Sequence, residues 1–232
     1  MIRRLLILAL WLAFAGLSGL IAVNSLGYLT HPAHMPFLLE KAEAARHVVW
    51  RYALSLHVSG GILCLAASLL QFSRRMLHRL PAMHRWLGRI YAAVVLFVVC
   101  PSGLVLALFA RGGWAGVLGF SLLGVLTFWT TWRGVRAILK RNTRDHAIWM
   151  IRSFAMISTA VTFRLWFLGF QMTAWDYDTD YLAALWLSLA GNALAAECLV
   201  HRFFSNKPAN SHEIPRHRPH LHSHRHAEFP TN

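Results

Sequence analysis

The chain has 232 residues, 56% of them hydrophobic and 14% charged, with a mean hydropathy of +0.45. That balance excludes a disordered chain and argues against a soluble domain. The formal net charge of +14 would suit a nucleic-acid binder, but the placement of the basic residues points to a membrane surface instead.

Apolar runs long enough to cross about 30 Å of hydrocarbon, roughly 20 residues of helix, occur at about Leu5–Leu29, Tyr52–Phe72, Trp86–Ala110, Trp114–Trp132, Ala147–Phe170 and Tyr181–Val200. They are continuous rather than alternating, which predicts helices and not barrel strands. The expected fold is therefore an all-α, polytopic membrane helix bundle of about six transmembrane helices. Residues 1–206 read as one domain, and residues 207–232 as a disordered, His-rich cytoplasmic tail. Met1-Ile-Arg-Arg before the first run has the form of a signal peptide, but the run outlasts the about 7–15 apolar residues of such a segment and is read as an anchor. Cys64, Cys100 and Cys198 lie far apart in apolar runs and define no disulfide framework, zinc ribbon or haem-attachment motif.

With both termini in the cytoplasm, 17 of the 23 Lys and Arg fall on the inner side, four outside and two within spans. This bias predicts an N-in, C-in protein of the cell inner membrane. Trp and Tyr mark many span ends, Tyr52, Trp86, Trp114, Trp132, Trp175 and Tyr181 among them, as an interfacial belt requires. The positive charge then serves topology and anionic headgroups, with no nucleic acid as partner and the oligomeric state open.

Polar residues at membrane depth supply the candidate sites. At 100° per residue, His57, Gly61, Cys64, Ser68 and Gln71 share one face of the second span. This stripe is either a helix-packing face or, through His57, the wall of a ligand cavity. Arg152 lies roughly 8 Å inside the fifth span and Glu197 at a similar depth in the sixth, so an ion pair between them is expected. Arg164, near the outer end of the fifth span, either binds an anionic group such as a propionate, quinone oxygen or lipid phosphate, or snorkels outward.

His84 and His146 open the third and fifth spans at one membrane level, a geometric requirement for haem ligation or a shared metal. The tail carries His217, His220, His222, His224 and His226, which can bind a transition metal weakly, although their spacing sets no geometry. There is no GxxxxGK[ST], GxGxxG after a strand, HExxH or GxSxG.

His57 with Gln71, then His84-Arg85-x-x-Gly88-Arg89-x-Tyr91, then His146-x-x-Trp149-Met150-x-Arg152-Ser153 resemble a family of predicted bacterial membrane proteins, the domain-of-unknown-function family 2306. The resemblance covers about residues 52–170 and implies a polytopic architecture, carrying no reaction with it. A looser likeness is to b-type cytochrome membrane bundles. The chain departs from that pattern because His57 has no second histidine at its own depth, which allows at most one haem, on the inner side.

Two readings of function stay open. One is a redox membrane component binding haem b or a quinone, with His57, His84, His146, Arg152 and Arg164 as candidate cofactor contacts. The other is a non-enzymatic structural, sensory, small-solute or metal-handling membrane protein.

Overall fold

A computed structural model describes residues 2–30 and 40–204. Among these, every regular element is helical: α1 Ile2–Thr30, α2 Ala42–Arg46, α3 Val48–Gln71, α4 Arg74–Arg79, α5 Pro81–Val94, a π-helical turn Val95–Val99, α6 Cys100–Ala107, α7 Gly113–Leu139, α8 Thr143–Phe170 and α9 Tyr177–Phe204. Helix α5, the π turn and α6 run on as one span, giving six helices long and apolar enough to cross a membrane.

Most helices outrun their hydrophobic stretches. The third begins at Pro81 rather than Trp86, and α7 continues to Leu139, past the expected end at Trp132. Hydropathy marks only the hydrocarbon-covered part, whereas good helix formers such as Arg133 and Arg136 continue the hydrogen-bond ladder into the interface. Local signals set the ends. Pro81 occupies the first helical turn of α5, where its missing N–H costs nothing. The Asn142 side chain accepts from the Asp145 N–H at 3.0 Å and caps α8. Gly112, at φ +80°, turns the chain into α7 in a conformation that glycine adopts without strain.

The π turn has a cause in the sequence. Cys100 N–H donates to Val95 five residues back. Next to it, Pro101 has no N–H to give, and its ring would strike the carbonyl four residues earlier in a regular helix. Widening the preceding turn relieves that clash.

The packing is inverted relative to a soluble domain. Large apolar side chains face outward, Phe97 at 76% and Trp114 at 81% exposure, whereas Thr131 and Ser153 are fully buried. Small and hydroxylated residues let helices approach and bond to one another, and lipid takes the apolar exterior. The core joins Cys64 and Leu65 of α3, Tyr91 of α5, Val95 and Val99 of the π turn, Cys100 of α6, and Ile157 and Val161 of α8. Helix α1 is peripheral, setting Phe14 and Trp11 against Phe154 of α8.

Candidate functional site

Helices α5 and α8 each carry a histidine near one end and a hydroxyl residue two turns further in, His84 and Tyr91 on one, His146 and Ser153 on the other. Seven residues on a helix is about 10 Å, so the pairs match in register. Tyr91 Oη and Ser153 Oγ lie 2.8 Å apart, and Ser153 Oγ is 2.7 Å from Thr131 Oγ1 of α7. Thr131 gives its single hydroxyl proton to the Thr127 carbonyl at 2.7 Å, so it can only accept from Ser153. Ser153 then has to accept from Tyr91. The order of donation is thereby fixed, from Tyr91 to Ser153 to Thr131 to the Thr127 carbonyl.

At the histidine level, His146 Nδ1 lies 2.9 Å from the Gly134 carbonyl. A carbonyl only accepts, so Nδ1 carries the proton, and in the neutral ring Nε2 keeps a free lone pair. This is the orientation that backbone carbonyls impose on metal-ligating imidazoles. His84 is close enough to interact electrostatically with His146, and its Nδ1 is buried with no hydrogen-bond partner among the described residues. Gln71 donates from Nε2 to the His84 carbonyl at 2.9 Å, while its buried Oε1 also has no partner there. The amide lies close over Gly88, where an added Cβ would stand 2.8 Å from Gln71 Nε2 and make the amide shift. His84 Nδ1 and Gln71 Oε1 are thus two buried polar atoms left unpaired where α3 meets α5, and Arg85 acts electrostatically on His84.

Of the stripe on α3, Cys64 and Ser68 are buried, and Ser68 is satisfied by the Leu65 carbonyl at 2.8 Å. Gly61 faces open space. Its neighbour Gly60 is the one pressed against the π turn, its Cβ position 2.9 Å from Val99. His57 lies fourteen residues before Gln71 in α3, in the opposite half of the bundle, with Nδ1 donating to the Val99 carbonyl at 3.0 Å. The structure therefore does not bring His57 to the His84–His146 cluster.

Arg152 and Glu197 form a two-pronged pair, Nε to Oε1 at 2.7 Å and Nη2 to Oε2 at 2.8 Å. The guanidinium also stacks on Trp149 at 4.5 Å. Trp149 takes Arg133 at 4.7 Å as well, so this end is ringed by cations held on aromatic faces. Arg164 Nη1 turns toward the middle of the helix and donates to the Ala160 carbonyl at 2.6 Å. His217, His220, His222, His224 and His226 lie outside the described residues.

The far end holds a contact that the sequence did not announce. Arg111 donates to both Asp178 and Glu40 and lies 4.3 Å over the Tyr177 ring. It ties the α1–α2 and α6–α7 connections to the first turn of α9, and the hydrogen bond to Asp178 is the main cause holding its guanidinium above the usual arginine range. Beside it, Lys41 gives its ammonium to the Phe109 carbonyl at 2.7 Å, and burial pulls its pKa down. The single signal in the sequence was the acidic run around Asp178, which has no partner until the loops fold.

Among the described residues, six apolar helices around a hydroxyl-lined interior define a polytopic α-helical membrane protein. The family described as "Predicted membrane protein (DUF2306)" matches residues 54–200, most of the chain, and the protein belongs to it. The match runs into α9, beyond the resemblance visible in the motifs. No curated protein and no solved structure matches.

Proposed function

We propose that this protein is a redox component of the cell inner membrane, with both termini cytoplasmic, that takes haem b or a quinone at its His84–His146 end. The observation that carries the reading is the orphaned His84 Nδ1 beside an imidazole whose other nitrogen is fixed by a carbonyl. A buried polar atom without a partner costs about 1–3 kcal/mol, so this cluster calls for a group from outside the chain. Haem supplies one-electron chemistry to paired imidazoles, and a quinone supplies oxygens that accept from His84 or, once reduced, donate to Gln71 Oε1. Arg85 stands ready for an acidic substituent, and the cations at the same end suit anionic headgroups.

The test is an absorption spectrum of the purified full chain from haem-replete cells, with a reduced pyridine extract and a quinone extraction. A pigment or quinone lost in His84→Ala and His146→Ala but kept in His201→Ala supports the reading. A folded, colourless, quinone-free protein refutes it. The non-enzymatic reading would then stand, favoured by the fully satisfied Tyr91–Ser153–Thr131 chain, which holds three helices together as it is.

A further inference from the structure

Arg164 carries a charge that the described chain does not neutralise. It lies six residues inside the Phe170 end of α8, about 9 Å along the helix. A cation at that depth has to face a counter-charge, water or protein dipoles. No described carboxylate forms an ion pair with it. Glu40 and Asp178 hold Arg111, Glu43 holds Arg46, and Glu197 holds Arg152. Asp145 takes the Asn142 amide, Asp176 takes Thr179, and Asp180 takes Gln171 and Thr173.

Of the five N–H groups on this guanidinium, one is spent on the Ala160 carbonyl. Tyr28, His57 and Tyr181 lie close enough to interact with Arg164 electrostatically, and they come from α1, α3 and α9. Arg164 is exposed on α8, and no carboxylate among the described residues pairs with it. On its own helix, Leu165 and Leu168 are exposed next to it, so the approach is open from the lipid side. Arginine offers a planar fork that matches two oxygens of one oxyanion.

We infer that Arg164 is the anchor of a binding site for the oxyanion head of an acidic amphiphile, a carboxylate or a phosphate, entering from the bilayer at the Arg111 end. The apolar tail runs along the lipid-facing leucines of α8, and the head draws the guanidinium away from the Ala160 carbonyl. This site is separate from the His84–His146 cluster and does not depend on any redox role.

The experiment is native mass spectrometry of the delipidated full chain titrated with oleate, phosphatidylglycerol, phosphatidylcholine and inorganic phosphate, in wild type, R164Q and R164K. The expected result is saturable binding of oleate or phosphatidylglycerol over phosphatidylcholine, weakened at least about tenfold in R164Q and within about threefold in R164K. Binding undiminished in R164Q, or no preference over phosphatidylcholine, overturns the site. Equal binding of inorganic phosphate overturns the bilayer as its source. A measurement on wild type alone guards against misfolding of R164Q: an oleate carrying a photoreactive group near its carboxylate should label the segment 160–168, and labelling elsewhere refutes the assignment.

Discussion

Replacing Glu197 by Gln keeps the shape of the side chain and removes the charge that Arg152 holds with two hydrogen bonds. Arg152 lies nine residues into α8 and Glu197 seven before the end of α9, roughly 13 and 10 Å along their helices. An unpaired arginine at the bilayer centre costs about 2.5–3.5 kcal/mol on insertion scales, whereas an exposed ion pair is worth about 0–1 kcal/mol. The side chains are 23% and 56% exposed, and the guanidinium keeps its stacking on Trp149 after the substitution. The cost should therefore fall between those limits, about 1.5–2 kcal/mol for Glu197→Gln and a similar amount for Arg152→Gln. Because both remove one interaction, the double variant should cost about 1 kcal/mol less than the sum of the singles. The exchange of the two residues should recover about half of the loss, helped by Arg near the C-terminus of α9, where the helix dipole favours a cation. Equilibrium unfolding in a graded detergent mixture, followed by tryptophan fluorescence, measures all four proteins. A coupling below about 0.3 kcal/mol would refute the reasoning, because it would mean that the two charges are solvated independently.

Tyr91→Phe removes the first donor of the hydroxyl chain while Ser153 keeps its acceptor, so the same unfolding assay should show a loss of about 1 kcal/mol. Gly88→Ala puts a Cβ 2.8 Å from Gln71 Nε2; the amide has to withdraw from the His84 carbonyl, at about 1–2 kcal/mol, and any pigment bound at His84 should shift in the visible spectrum. Asp176 accepts from the Thr179 hydroxyl at 2.5 Å and from its backbone N–H, which holds its pKa below the ordinary aspartate value. Its folded pKa is depressed, so its contribution is present above about pH 4 and is lost as pH falls through the lowered value. Protection factors of the amides at residues 176–180, the intrinsic exchange rate divided by the observed one, should accordingly fall below that pH and stay flat from pH 5 to 8.

Chain order and chemistry already contain the bundle. A continuous apolar run of some 20 residues has few structures available in lipid other than a helix, because backbone groups there must be satisfied within the segment. The pairing of Arg152 with Glu197 was also open to a reader of the sequence, since only one acid stands at span depth. The register of His84 with His146 followed from their matched places at two span starts.

Other features depended on how the helices meet. No spacing rule says that Gly134 offers its carbonyl to His146, or that Gly60 rather than Gly61 meets the π turn, because a one-residue rotation of a uniformly apolar helix changes little in the sequence pattern. The direction of the hydroxyl chain needed three helices in contact before the single proton on Thr131 could decide it. The isolation of Arg164 emerged only once each described carboxylate had found its partner in space. Sequence dictates which segments lipid will accept, through transfer energies that belong to each residue alone. Tertiary structure decides which polar groups meet within that bundle, because hydrogen bonds and ion pairs depend on distances between helices that no single segment contains.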